Sequence, residues 1–203
     1  MIPKIIHCCW FGNKPFPDSV KRCMESWEKY CPDYKIKIWN EENFDYKSMS
    51  FSREAYWLKK YAFVSDVARL YALYNEGGIY LDTDVRLLNG FDRLLSNKSF
   101  IGLEAPFRLS TAVIGAEKRC LWIKEFYNYY RYRHFIGINK RSLIRKKPNT
   151  ILLTDFFNSN YPKFFDDVNI LDIDYLCAKL YPSGEYFVTD NTIAVHEFSG
   201  TWK

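Results

Sequence analysis

Asp82 and Asp84 lie two residues apart at the end of a short apolar segment, residues 79–81, which is typical of a buried strand. If the chain stays extended, both carboxylates point to the same side. At roughly 6 to 7 Å and an effective dielectric constant of 20, two carboxylates repel each other by about 2 to 3 kcal/mol. A bound divalent cation turns this repulsion into attraction. The alternative is that one aspartate caps a turn and the other is solvated.

Two other aspartate motifs do not fit this segment. A calcium-binding EF loop starting at Asp82 would need an acidic or amide side chain at its fifth position and Glu at its twelfth, where the chain has Arg86 and Arg93. A phosphatase with an aspartyl nucleophile would resemble DxDx(T/V), and Arg86 again occupies the fifth position. What remains is an Asp-x-Asp at the carboxyl end of a strand, the edge where open α/β sheets bind nucleotides.

The stretch before this strand predicts an amphipathic helix that begins near residue 61. Its buried face is predicted from five residues at spacings of three, four and seven: Phe63, Val67, Leu70, Tyr71 and Tyr74. Gly77 and Gly78 predict the end of the helix and the turn into the strand, because glycine adopts the left-handed conformation at little steric cost. Asp66 and Arg69, three apart on the helix, could form an ordinary surface ion pair worth a few tenths of a kcal/mol.

The helix and the strand together carry two motifs, SDxxR at residues 65–69 and GGxYxDxD at residues 77–84. In this spacing they resemble glycosyltransferase family 32, which includes bacterial capsule and lipopolysaccharide enzymes and fungal mannosyltransferases, and more distantly the large glucosylating cytotoxins. The resemblance implies that Asp82 contacts the ribose or donor sugar and that Asp84 coordinates a Mn²⁺ or Mg²⁺ ion gripping the diphosphate. It further implies that Asp66 and Arg69 hold the donor sugar, with Ser65 beside them.

The two ends of the chain extend this resemblance. The opening IPKIIHxxWFG is how the family begins, so Trp10 is expected to stack on the nucleotide base; the alternative is a core tryptophan. Near the other end, the resemblance implies that Ser199 and Trp202 close over the diphosphate. It also implies that His196 completes the metal shell, since imidazole and carboxylate are good manganese ligands. Glu197 points the other way if the strand is regular.

The composition predicts one globular domain, residues 1–203, because 48% of the residues are hydrophobic and 26% are charged. No segment has the length of a membrane span or the pattern of a signal peptide, so a cytoplasmic location is expected. The six cysteines form no CxxC pair and are expected to be reduced core thiols. The net charge of +5 is too small, without a reader motif, to indicate nucleic-acid binding.

The elements predict an α/β fold with a mixed, mostly parallel sheet flanked by helices, and the resemblance implies that this fold is of the GT-A nucleotide-sugar transferase type. The predicted strands cover residues 2–10, 34–39, 79–81, 100–104, 111–115, 168–171 and 192–197. The predicted helices and helical turns cover residues 18–30, 51–60, 61–76, 91–95, 118–133, 150–157 and 175–180. The first strand, helix and second strand form a β-α-β unit with parallel strands.

The resulting hypothesis is a metal-dependent transferase that moves a sugar from a nucleoside diphosphate, UDP being favoured, to a saccharide hydroxyl. As the resemblance implies, the anomeric configuration is retained and the context is surface polysaccharide synthesis. One alternative is a non-catalytic glycan- or membrane-binding protein. The other is a nucleotidyltransferase, which would need a glycine-rich, basic phosphate loop that residues 11–14 do not supply.

A basic stretch of the chain predicts where the protein would encounter its acceptor. Residues 126–154 contain seven Lys or Arg and no Asp or Glu, with tyrosines and Phe135 interleaved. Such a composition is typical of a surface that rests on anionic lipid, and the alternative is a solvated helix face and loop. We therefore expect peripheral attachment to the inner membrane face through residues 126–147, which would bring the site to a lipid-linked saccharide. The basic residues are Arg131, Arg133, Lys140, Arg141, Arg145, Lys146 and Lys147.

Overall fold

The structure of the chain is a computed structural model that describes residues 1–139, 142–144, 147–160 and 163–200. Within those ranges the strands form one sheet of six strands and two sheets of two strands. Some residues with predicted roles lie outside the described ranges: Lys140, Arg141, Arg145, Lys146 and Trp202. None of the helices in the described part of the chain is long and apolar enough to cross a membrane.

The six-stranded sheet is the centre of the fold. In chain order, the strands of the described ranges are β1 (Ile5–Cys9), β2 (Lys35–Trp39), β3 (Gly78–Leu81), β4 (Val85–Leu87), β5 (Ser99–Ala105), β6 (Arg108–Ala116), β7 (Ile136–Asn139), β8 (Ser142–Ile144), β9 (Asn169–Leu171) and β10 (Ala194–His196). The central order is β2-β1-β3-β6-β5-β9, and β6 runs antiparallel to both of its neighbours while the other three pairings are parallel. The predicted mixed, mostly parallel sheet is confirmed.

Helices cover this sheet. They are α1 (Asp18–Tyr30), α2 (Ser50–Trp57), α3 (Tyr61–Glu76), α4 (Leu121–Arg131), α5 (Asn149–Asn160) and α6 (Ile173–Leu176). α1 has the predicted bounds, and it connects the parallel strands β1 and β2 as the predicted β-α-β unit. α4 is shorter than predicted and α5 is longer, and both differences lie at helix ends, where sequence patterns are least informative.

Helix α3 is buried on more of its circumference than an amphipathic stripe predicts. Phe63, Tyr71 and Tyr74 of the predicted face are half-buried and pack against the core, whereas Val64 and Ala68, outside that face, are fully buried. The reason is that α3 packs against α2 and α4 as well as against β1 and β3. The helix ends at Glu76 as predicted, and Gly77 follows with a φ of 69° while its amide donates to the Leu73 carbonyl at 2.9 Å.

The small sheet of β4 and β10 was not predicted as a sheet, because the three residues of β4 are too few to establish a period. The two strands are antiparallel, and His196 is paired with Val85. This pairing brings the C-terminal part of the chain beside the Asp82–Asp84 segment. The β7–β8 hairpin was missed for the same reason of length.

The apolar core lies on both faces of the central sheet, with Trp122, Tyr130 and Phe126 on one face and Trp27 and Phe91 on the other. All six cysteines are buried and free of disulfides, as predicted. His7 is fully buried, with its Nε2 2.8 Å from the Gly77 carbonyl and its Nδ1 accepting from the Trp39 indole at 3.1 Å. It therefore ties β2 to the turn that precedes β3.

Gly78, shortly before the aspartate pair, has no room for a side chain. Its φ is 109°, and an added Cβ would lie 2.6 Å from the Ile5 carbonyl oxygen. We predict that Gly78→Ala lowers the free energy of unfolding by about 2 to 4 kcal/mol, because backbone strain and overpacking add. Urea titration followed by circular dichroism measures this change.

Gly184→Ala is the matched control for this prediction. Gly184 also has a positive φ, 77°, but nothing lies within 4 Å of an added Cβ. Its replacement should cost only about 1 kcal/mol, the backbone strain alone. Equal losses in the two variants would contradict the steric argument.

Candidate active site

The Asp-x-Asp segment forms a turn at the carboxyl end of β3. The expectation of an extended chain was wrong, because the Val85 amide donates to the Asp82 carbonyl at 3.0 Å and closes a turn. The two carboxylates nevertheless meet the same group of side chains. Ligand atoms of Asp82, Asp84 and His196 all lie within 4.8 Å of one another.

Asp82 is held on one side of the site by two buried neighbours. The Tyr80 hydroxyl donates to its Oδ1 at 2.8 Å, and Arg69 Nη2 lies 3.3 Å from the same oxygen. Both partners come from the core face of the sheet, where Tyr80 is 1% exposed and the Arg69 guanidinium lies 4.5 Å from the Tyr80 ring centroid. The Asp82 side chain itself remains partly accessible, so it can still contact a ligand.

Asp66 and Arg69 form a buried ion pair rather than a surface one. Arg69 Nη2 donates to Asp66 Oδ1 at 2.9 Å, and only 5% of the arginine and 10% of the aspartate side chain is exposed. A second guanidinium nitrogen, Nη1, donates to the Thr111 carbonyl at 2.6 Å. Burial at this level excludes the alternative of a solvated pair and makes Arg69 the link between α3, β3 and β6.

Asn149, the first residue of α5, is a site residue that sequence reasoning missed. Its Nδ2 donates to Asp66 Oδ1 at 2.9 Å, and its Oδ1 accepts from the Tyr130 hydroxyl at 2.8 Å. Asparagine at the start of a helix is most simply explained as a helix cap. The sequence therefore gave no indication that Asn149 contacts Asp66, which lies 83 residues earlier in the chain. Asn149 fixes the orientation of Asp66 from the opposite side to Arg69.

Burial dominates the acidity of Asp66. It raises the pKa of this carboxyl to about 6, while the Arg69 guanidinium acts in the opposite direction and Asp82 adds to the rise. Burial also raises the pKa of the Tyr130 hydroxyl well above its usual value. The network around Asp66 is therefore a desolvated one, in which each polar group depends on its partners.

Asp84 is bound to the C-terminal segment. Its Oδ1 lies 3.3 Å from His196 Nε2, and its Oδ2 accepts from the Ser199 amide at 2.9 Å and the Ser199 hydroxyl at 3.0 Å. Burial raises the pKa of Asp84, but these hydrogen bonds outweigh it and lower the pKa to about 2. For His196 burial lowers the pKa, and the Asp84 carboxylate outweighs it and raises the pKa to about 10.

The donor set of Asp82, Asp84 and His196 fits a divalent cation. Two carboxylates and an imidazole are ligands that manganese accepts. Ligand atoms on opposite sides of an ion with bonds of roughly 2.1 Å lie 4.2 Å apart, so a spread within 4.8 Å needs only small side-chain shifts. A bound ion would require the His196 proton to leave, since metal-ligating imidazole is neutral. Glu197 faces away, paired with Arg86 at 2.9 Å and Lys179 at 2.8 Å, as predicted.

The remaining predicted site residues lie at the same edge or on α3. Trp10, just after β1, is half-buried; its indole N–H donates to the Lys14 carbonyl at 2.6 Å, and its ring lies 5.0 Å from that of Phe16. The Ser65 hydroxyl donates to the Tyr61 carbonyl at 3.2 Å within α3. Trp202 falls outside the described residues.

Residues 17–101 match the family model described as "Glycosyltransferase sugar-binding region containing DXD motif". Among curated proteins, inositol phosphoceramide mannosyltransferase 3 of Schizosaccharomyces pombe is 31% identical over 123 residues, 58% of this chain and 34% of that protein. A mannosyl phosphorylinositol ceramide synthase of Saccharomyces cerevisiae is 28% identical over 127 residues, 59% of this chain and 32% of that protein. The chain thus spans about a third of the length of these relatives.

Two solved structures share the fold. The PaToxG glycosyltransferase has a TM-score of 0.58 at 24% identity, over 80% of this chain and 70% of that one. A glycosyltransferase involved in glycosylation of the major capsid of PBCV-1 has a TM-score of 0.55 at 16% identity, over 98% and 95%. The GT-A type of fold and the resemblance stated from the two motifs are confirmed, and the matches support the prediction of a transferase.

The Asn149 network leads to a stability prediction. Asn149→Ala leaves the Tyr130 hydroxyl without its acceptor and Asp66 without one donor, and a buried group left unsatisfied costs about 1 to 3 kcal/mol. We expect the free energy of unfolding to fall by about 2 to 4 kcal/mol, measured by urea titration. Asn160→Ala, at the other end of α5, removes only a bond from its Nδ2 to the Phe156 carbonyl and should cost less than about 1 kcal/mol. Equal losses would mean that Asn149 acts only as a helix cap.

Proposed function

Because residues 17–101 carry the DXD-containing sugar-binding region of glycosyltransferases, we propose that the chain transfers a sugar from a nucleoside diphosphate donor to a saccharide hydroxyl, with a divalent ion bound. The observation that carries this proposal is the convergence of Asp82, Asp84 and His196 beside the buried Asp66–Arg69 pair. The candidate cation ligands and the buried Asp66–Arg69 pair thus lie side by side. They lie at the edge of the sheet where such folds bind nucleotides.

Asp84 and His196 would hold the ion, and Asp82 would face the ribose or the donor sugar. The ion, Mn²⁺ or Mg²⁺, supplies positive charge for the diphosphate that leaves. Ser199 donates hydrogen bonds to Asp84 from both its amide and its hydroxyl, so the C-terminal segment helps to orient this proposed metal ligand. The Asp82 carboxylate, fixed by Tyr80 and Arg69, is preorganised and needs no rearrangement when the donor binds.

Asp66 and Arg69 would bind the donor sugar. Both hydrogen bonds to Asp66 that the described residues provide end on Oδ1, which leaves Oδ2 available to a sugar hydroxyl. A carboxylate in this position also stabilises an oxocarbenium-like sugar electrostatically. Ser65 lies on the same helix, and Trp10 is the proposed stacking platform for the base.

The finer features of the donor and acceptor rest on the family resemblance. From the sequence we expect UDP as the nucleotide of the donor and transfer with retention of the anomeric configuration. The expected context is the synthesis of a surface polysaccharide. The relatives' names favour mannose as the sugar and an inositol phospholipid of the ceramide type as the acceptor. The presence of Asp82, Asp84 and His196 together argues against a non-catalytic binding protein. A nucleotidyltransferase would need a phosphate loop richer in glycine and basic residues than residues 11–14.

The proposal is tested by measuring nucleotide released from UDP-, GDP- and dTDP-sugars with Mn²⁺. We expect the wild type to hydrolyse at least one donor slowly. Asp84→Asn should reduce this at least 100-fold, because a charged ligand is worth several kcal/mol of charge stabilisation in the transition state. Asp18→Asn, a change of the same kind at a side chain that is 81% exposed, should act like the wild type. Wild-type rates that persist in excess EDTA would overturn the metal requirement.

The basic stretch at residues 126–147 offers less apolar surface than the sequence suggested. Tyr130 and Phe135 belong to the core, so an interface role was wrong for these two residues, while Tyr127 and Tyr129 are half-buried. Among the described aromatics of this stretch, Tyr132 is 85% exposed. Arg131, the residue before Tyr132, is also exposed. From these two exposed residues and the basic charge we propose a cytoplasmic location with peripheral membrane attachment.

Membrane attachment is tested by sedimentation with vesicles containing anionic lipid. Salt-sensitive binding is expected, and the triple change of Arg145, Lys146 and Lys147 to Glu should weaken it at least 10-fold, since each basic residue near the surface contributes about 1 kcal/mol. The control is the same charge change on α1, at Lys21, Arg22 and Lys29, which are exposed. Equal loss in both triple variants would indicate that net charge alone matters, and absence of wild-type binding would favour a soluble acceptor.

A further inference from the structure

The hairpin of β5 and β6 extends past the aspartate pair at the same edge of the sheet. β3 and β5 both run antiparallel to β6, so their carboxyl ends point the same way. The Asp82 amide donates to the Ala112 carbonyl at 2.8 Å, whereas the hairpin closes further out, where Ala105 pairs with Arg108. The tip therefore lies beyond the cation ligands, about 10 Å to one side, which is two strand spacings.

Glu104 is directed by an irregular part of this hairpin. The register of β5 and β6 shifts between Ile101 and Leu103, and again between Leu103 and Ala105, so that Glu104 lies within a bulged segment. Bulges beside active sites typically re-aim a side chain. Glu104 is half-buried; burial raises the pKa of its carboxyl, and the nearby Thr150 side chain acts in the opposite direction.

The charges around Glu104 are those of the site described above. Its carboxyl is within electrostatic range of His196 and Asp82, and also of Arg108 on the hairpin. Thr150, whose side chain lies near this carboxyl, directly follows Asn149, which orients Asp66. The start of α5 thus contacts the Asp66 network on one side and Glu104 on the other.

Phe107, at the tip, is the second residue of the two-residue turn between Ala105 and Arg108, a position with positive φ that usually carries glycine or asparagine. It is 94% exposed, so it contributes little to the core, and its φ of 58° is in the left-handed region that disfavours a bulky side chain. Residues held in such conformations cluster at ligand-binding sites. An exposed aromatic ring next to a half-buried carboxylate is a combination that binds a hydroxyl-rich ring, with the carboxylate accepting from hydroxyls and the aromatic face covering C–H groups.

We propose that Glu104 and Phe107 form the acceptor subsite and bind a saccharide or polyol ring whose hydroxyl faces the donor sugar. This inference rests on the proposed function, because it presumes a donor at Asp66, Arg69 and Asp82. The donor-side groups are already engaged with one another, and the hairpin tip is the next polar and aromatic surface outward along the same edge.

The test uses the full chain with Mn²⁺, the donor that the wild type hydrolyses, and acceptor probes consisting of methyl glycosides of glucose, galactose and mannose together with myo-inositol. The readout is the ratio of transferred to hydrolysed sugar. Glu104→Gln and Phe107→Gly should each lower this ratio about 10-fold or more, the size of one lost contact to a charged or stacking group. Trp57→Ala removes another exposed aromatic residue, 66% exposed on α2, and should leave the ratio unchanged.

Phe107→Gly also separates binding from stability. Glycine relieves the positive φ, so this variant should unfold at the same or a higher urea concentration while its transfer ratio falls. Unchanged ratios in both variants, or a wild type that hydrolyses donor but transfers to none of the probes, would overturn the acceptor subsite and leave the proposed function standing. A wild type that hydrolyses no donor would overturn the proposed function, and the subsite with it.

Discussion

The permanent positive charge of Arg69 is the constraint on which the site depends. A guanidinium cannot lose its proton in a protein, so once it is buried it must be surrounded by acceptors. Here it is bonded to Asp66 and to the Thr111 carbonyl and lies 3.3 Å from Asp82. These partners belong to α3, to β6 and to the turn after β3. Burying one cation thereby positions three elements and both carboxylates that are proposed to face the donor.

This arrangement also relieves the repulsion between the two carboxylates of the Asp-x-Asp segment. Asp66 and Asp82 share the Arg69 charge, and Asp84 is paired with His196 instead. The repulsion expected between neighbouring aspartates is thus relieved separately on the two sides of the turn. The protein thus satisfies the two carboxylates by different means, Asp82 through the buried Arg69 and Asp84 through His196 and Ser199.

The sequence was sufficient where a pattern repeats along the chain or where a motif is local. The bounds of α1, the glycine end of α3 and the strand before Asp82 followed from periodicity and turn chemistry within a few residues. The pairing of Asp66 with Arg69 was visible from their spacing, but its burial was not, because that depends on α4 and α5 packing over α3 from far along the chain.

The features that the sequence did not indicate are contacts between distant segments. Asn149 meets Asp66 only because α5 starts against the buried face of the site, and β4 exists only because β10 pairs with it. Glu104 gains its orientation from irregular pairing in a hairpin, which no alternation of residue types encodes. Short strands and bulges are determined by their partners, so local composition carries little information about them.

Because β4 and β10 are far apart in the sequence, the two halves of the candidate metal site are synthesised at different times. Ser199, which holds Asp84, is added to the growing chain 115 residues later, about 6 to 23 s at ribosomal rates of 5 to 20 residues per second. The central strands β1, β2 and β3 can pair well before that moment, with the aspartates at their edge still open to water. A nascent chain can therefore pair its first strands before the candidate metal site is assembled, and β10 with the segment after it is the part that completes that site.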